Sequence, residues 1–81
     1  MIDVLDAAKY IANTYQTEYS EPISEMKLHK LLYFAQRESL VRTNNEMFDS
    51  LFQGWRFGPV IPEVRREYQD ILVSRPSELL R

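Results

Sequence analysis

Few residues in this chain could carry chemistry, and they do not form a familiar reactive set. There is one histidine, His29, and no cysteine. A metal centre needs several clustered ligands, and a Ser–His or Cys–His nucleophile needs its base, for which His29 is the only imidazole. His29 either makes a structural hydrogen bond from a partly buried flank, beside Tyr33 and Met26, or acts as a catalytic or pH-sensing group. Glu63, Glu67 and Asp70 lie beside arginines on what reads as a solvated helix face; acid–base work would need burial or a like-charged neighbour. Gly54 and Gly58 are the two glycines. No Gly-Lys-Ser/Thr follows them, so there is no phosphate loop and no cofactor is expected. Binding chemistry is better represented. Lys27, Lys30 and Arg37 share a strip of one helix, with Arg56, Arg65 and Arg66 as further cations. Phe52, Trp55 and Phe57 form an aromatic cluster around Arg56. Each group has a plainer use, the cations as a solvated face and the aromatics as core. Yet Trp and Arg dominate interface hot spots. The candidate partner-binding set is therefore Lys27, Lys30, Arg37, Trp55, Arg56, Arg65 and Arg66.

These residues depend on a helix that opens near residue 25 and runs to about Val41. On it Leu28, Leu31, Leu32 and Ala35 follow the i, i+3, i+4, i+7 spacing of a buried stripe. Phe34 and Val41 fall to one side of the stripe, and Met26, Tyr33 and Leu40 fall nearly opposite. A helix apolar on several sides is expected to be surrounded, which makes this the central helix. Ser24 is its expected N-cap, with Ile23 and Leu28 at the spacing of a hydrophobic staple. Ahead of it, Asp3 caps an amphipathic helix over residues 3–18, whose buried face is Val4, Ala8, Ile11, Tyr15 and Tyr19. Pro22 breaks the connector between the two.

The second half of the chain is less regular. Paired Asn44 and Asn45 predict a turn with left-handed geometry. The spacing of Phe48, Leu51 and Phe52 predicts a short helical turn up to Gln53, followed by an extended segment over residues 55–57. Gly58-Pro59 reads as a turn. Pro62 fits the first turn of a last helix, which buries Val64, Tyr68, Ile71 and Leu72 and ends at Ser74. The fold class is mainly α, a small helical domain with a central buried helix and one short extended segment.

Length and charge narrow the partners. Eighty-one residues make one domain with a modest core. A net charge of −2 argues against a general polyanion binder, which needs a basic patch. No apolar run approaches the ~20 residues that span a bilayer, and the first residues carry no basic region of a signal peptide. A cytoplasmic protein without a membrane partner is expected.

Two segments resemble a known family. Lys27-Leu-His-Lys-Leu-Leu-Tyr-Phe-Ala-Gln36 is similar to the Lys-Leu-x-Lys-Leu-Leu-Tyr-aromatic-Ala signature of the Panacea domain, found in SocA-like antitoxins and phage-associated GepA-like proteins. Phe52-Gln-Gly-Trp-Arg-Phe-Gly-Pro-Val-Ile-Pro-Glu-Val64 is similar to that family's Ala-Trp-x-Tyr-Gly-Pro-Val-x-Pro-x-Val segment. Gly54 and Phe57 stand where the family commonly has Ala and Tyr. The resemblance covers about residues 3–70. It implies a mostly helical, non-enzymatic domain of phage or prophage origin that neutralises a toxin by direct binding. Alternatives are a phage inhibitor of a host defence system, of the anti-CRISPR type, and a small DNA-binding regulator using Arg65, Arg66 and the lysines. Family members usually continue beyond the equivalent of Ile71, so residues 1–81 are expected to be a C-terminally short domain. It would be either a minimal member or one completed by another chain, as in a homodimer with an edge at Leu72, Leu79 and Leu80.

Overall fold

The computed structural model describes residues 2–49, 52–55 and 58–73. Helix α1, Val4–Tyr19, opens where the Asp3 carboxylate accepts the Leu5 N–H at 2.8 Å. That satisfies one of the free donors every helix start leaves. The helix closes at Ser20, whose left-handed backbone sends its N–H to the Gln16 carbonyl. Its buried residues are Val4, Ala7, Ala8 and Ala12. Ile11 and Tyr15 are half-buried, and Tyr19, expected inside, is exposed and lies against the Tyr15 ring.

Helix α2, Glu25–Thr43, starts at the Ser24 cap, where Ser24 Oγ accepts the Lys27 N–H. Ile23 and Leu28 are both fully buried, as a staple requires. Asn44, left-handed at φ 59°, ends the helix by donating to the Leu40 carbonyl. α2 is packed between α1 and the second strand described below. Its buried residues are Leu28, His29, Leu32 and Gln36. At 3.6 residues per turn, this face is rotated by about 60° from the expected stripe. Leu31 consequently turns outward. The rotation has a physical cause: His29 and Gln36 find backbone partners in the second half of the chain, so this flank is the one that is covered. Met26, Phe34, Leu40 and Val41 remain exposed.

The helical turn expected before Gln53 is not seen among the described residues of that stretch. Instead Phe48 forms a parallel bridge with Ile2, and the Ile2 N–H donates to the Met47 carbonyl at 2.9 Å. Strand β1, Gln53–Trp55, pairs antiparallel with β2, Gly58–Val60, placing Gly54 opposite Pro59. Gly58 and Pro59 are thus strand residues and not the expected turn. Gly58 sits at φ 122°, a conformation closed to side chains with a Cβ. Pro59 is tolerated because a two-stranded sheet is all edge. The expected extended segment falls earlier, on Gln53–Trp55; Arg56 and Phe57 lie outside the described residues.

Pro62 opens α3, Pro62–Arg66, where its missing N–H costs no hydrogen bond. Glu67 leaves helical geometry and α4, Tyr68–Val73, follows. The single helix expected here is therefore broken once, although Glu67 donates to Glu63 and Ile71 to Glu67 across the break. Val64 and Ile71 are buried, and Tyr68 and Leu72 half-buried, on the side facing α1. Ser74, Leu79 and Leu80 lie outside the described residues. The core joins Val4, Ala8, Ile23, Leu28, Leu32, Phe48, Ile61, Val64 and Ile71 into one cluster. Among the described residues no helix is long and apolar enough to cross a membrane.

Tyr68 closes this core by donating from its hydroxyl to the Ile23 carbonyl at 2.6 Å. Burial first, and then the charge of Glu25, hold its phenol above the ordinary value of 10.0. A raised folded value means that the native state holds this proton more tightly than the unfolded chain. Its contribution is therefore complete below pH 10 and lost as pH rises through the folded value. Tyr68→Phe is expected to cost about 1 kcal/mol at pH 7. In urea titrations from pH 8 to 11, the gap between wild type and Tyr68→Phe should shrink above pH 10.

Candidate partner-binding surface

Two buried polar side chains on α2 hold the second half of the chain, and they decide which face of the helix stays open. His29 is 2% exposed. Its Nδ1 accepts the Ile61 N–H at 3.2 Å, so the ring proton lies on Nε2, which faces Glu25 Oε2 at 3.3 Å. The same Glu25 oxygen accepts from Arg65 at 3.0 Å. Both ring nitrogens are thereby engaged in joining α2 to Ile61 and α3. This geometry matches the structural reading of His29. His29→Leu should cost about 1–3 kcal/mol by orphaning the Ile61 donor. His29→Asn, whose Oδ1 falls near the Nδ1 position, should cost less; thermal melts of the two variants compare them directly.

Gln36 is the second bracket, and nothing in the motifs singled it out. Its Oε1 accepts from the Met47 N–H at 2.8 Å and the Phe48 N–H at 3.2 Å, while its Nε2 donates to the Phe48 carbonyl at 2.7 Å. With the Ile2 bond to Met47, every backbone polar group of Met47 and Phe48 has a partner. The signal available was its position: Gln36 continues the i, i+4, i+8 line of Leu28 and Leu32. An amide there must be hydrogen-bonded.

With that flank fixed, the candidate contact residues separate into groups. Lys27 stands on the α1 side. Its ammonium donates to the Tyr15 hydroxyl at 3.2 Å and lies 5.2 Å from the Tyr15 ring centroid. The hydrogen bond to Tyr15, then electrostatic attraction to it, raise the Lys27 ammonium above 10.5. Lys30 and Arg65 meet on the other side, at a cleft of about 130 Å³ lined also by Glu25, Met26, His29, Pro59 and Val60. Arg37 is exposed two turns beyond Lys30 on the same side of α2, and Arg66 is exposed on α3. Trp55 ends β1. Of the aromatic cluster, Phe52 is half-buried and packs edge-on to Tyr33 and beside Phe48, which places it with the core.

The open face of α2 also carries apolar residues that the sequence pattern predicts to be covered. Phe34 is 54% exposed and Val41 73% exposed. A second groove of about 250 Å³ runs between the helices and is lined by Tyr10, Ile11, Thr14, Tyr15, Glu18, Tyr19 and Leu31. Among the described residues no group of three or more His, Asp or Glu could hold a metal ion.

Comparison with known families matches residues 28–78 to the domain described as "Antitoxin SocA-like, Panacea domain". Among curated proteins, Antitoxin SocA of Caulobacter vibrioides (strain NA1000 / CB15N) is 47% identical over 45 residues. That match covers 56% of this chain and 24% of the relative, so the chain spans about a quarter of that protein's length. No solved structure matches the chain.

Proposed function

Because this chain belongs to the SocA-like Panacea antitoxin family, we propose that it is a non-enzymatic antitoxin that neutralises a toxin protein by binding and covering it. The supporting observation is the open face of α2, where large apolar side chains stand among cations. Contiguous apolar surface rimmed by polar residues is the kind that marks protein interaction sites. The proposed contacts are Lys27, Lys30, Arg37, Trp55, Arg56, Arg65 and Arg66. His29 supports the non-enzymatic reading, since its two nitrogens serve the fold.

The test is rescue. The chain is co-expressed with the growth-inhibiting protein encoded beside it, and growth is followed after induction. Growth restored at matched expression supports the reading. A toxin that remains fully active beside abundant, folded protein contradicts it.

A further inference from the structure

The exposed side of α2 is more specific than a generic patch. Met26, Lys30, Phe34, Arg37 and Val41 lie along one strip of the helix, and all five are exposed. From Met26 to Val41 the strip is about 22 Å long at 1.5 Å per residue, enough for four turns of a second helix. Apolar and cationic side chains alternate along it. At its N-terminal end it opens into the cleft where Lys30 and Met26 face Arg65.

The charges here are unequal. Glu25, the acidic residue at the cleft, is held by both Arg65 and His29. Glu38, on the flank, is paired with Arg42 at 2.8 Å. Lys27 is engaged by Tyr15. Among the described residues, Lys30 and Arg37, on either side of Phe34, have no carboxylate partner. Nucleic acid would satisfy the cations but leave Met26, Phe34 and Val41 facing a polar backbone. An apolar helix would cover those three and strand the cations.

We infer that this strip of α2 is a docking surface for an acidic amphipathic helix of a partner protein. The partner's apolar side chains cover Met26, Phe34 and Val41, and its carboxylates meet Lys30, Arg37 and the Arg65 side of the cleft. This rests on the antitoxin reading for the identity of the partner, but its geometry is testable separately. An amphipathic helix presents its apolar anchors at i, i+3, i+4 and i+7 along one face, and the complementary charges set orientation and specificity.

The experiment maps amide chemical shifts of the full, isotopically labelled chain against three probes. One is an amphipathic helical peptide with a leucine face flanked by glutamates. The second has lysines in place of those glutamates, and the third is a short DNA duplex. The acidic peptide should shift residues along 26–41 and bind roughly tenfold or more tightly than the lysine peptide. The double variant K30E/R37E, altered only at exposed positions, should keep its spectrum and reverse that preference. Equal binding of both peptides would overturn the inference. So would shifts centred on the Tyr10–Tyr19 groove, DNA binding to the strip as tightly as the acidic peptide, or self-association through this face. The growth assay separates the two claims: rescue by wild type that survives K30E/R37E overturns this inference and leaves the antitoxin reading intact. Failure of rescue by wild type removes that reading instead.

Discussion

Phe48→Ala is expected to destabilise the chain by about 3–5 kcal/mol, the range for emptying an aromatic site in a packed core. Among the described residues, Phe48 is the largest of the fully buried side chains. Its backbone is pinned from both sides, by the bridge to Ile2 and by Gln36. The surroundings therefore cannot collapse into the space it leaves, and the cost should fall toward the upper end. A domain of this size has roughly 4–12 kcal/mol in total. The variant should consequently show a substantial unfolded fraction at 37 °C, read by circular dichroism and by the urea midpoint. A loss below 1 kcal/mol would mean that Phe48 is not the centre of the core.

Gln36→Leu is the second large effect. The substitution nearly conserves volume, so packing changes little. It leaves the Met47 and Phe48 N–H groups and the Phe48 carbonyl without their partner. Each buried group left unsatisfied costs about 1–3 kcal/mol. Water reaching the half-buried Met47 lowers the sum, and about 3 kcal/mol is expected. Gln36→Glu separates charge from shape: it keeps an acceptor for the two N–H groups but, when ionised, loses the donor to Phe48. It should fall between wild type and Gln36→Leu at neutral pH and move toward wild type as the carboxyl protonates. Hydrogen exchange should locate the damage, with the Met47 and Phe48 amides losing protection before those of α1.

Those two residues show what was legible and what was not. Local chemistry was readable: Asp3 and Ser24 as caps, the Ile23–Leu28 staple, Pro62 at a helix start and the left-handed Asn turn all stand where the sequence places them. These devices act within a few residues, so a single sequence contains their whole cause. The buried face of α2 was less legible. Apolar spacing points to Leu31, but the covered flank is set by bonds from His29 to Ile61 and from Gln36 to Met47 and Phe48. Such partners are distant in sequence and invisible to periodicity. The same cause misplaces Gly58 and Pro59: a turn signal cannot reveal pairing with Trp55 and Gly54.

The candidate surface was legible in part. Lys30, Arg37 and Arg65 were identified by type, and the fold brings Lys30 and Arg65 to one cleft. Phe34 and Val41 read as covered from the sequence because helical spacing cannot distinguish an apolar face covered by its own chain from one left open. Lys27 looked equivalent to Lys30 on the wheel, yet only Lys27 has a neighbouring tyrosine to hold it.

If this chain acts by covering a toxin, the two proteins associate in solution. The decisive measurement is the mass of the species formed when purified chain and purified toxin are mixed, read by light scattering across a chromatographic peak. A stoichiometric complex of defined mass is expected with wild type, and its loss when the α2 cations are reversed in a protein that still folds would place the contact on α2. Two separate peaks at free masses, under conditions where the chain nevertheless suppresses the toxin in cells, would contradict action by covering.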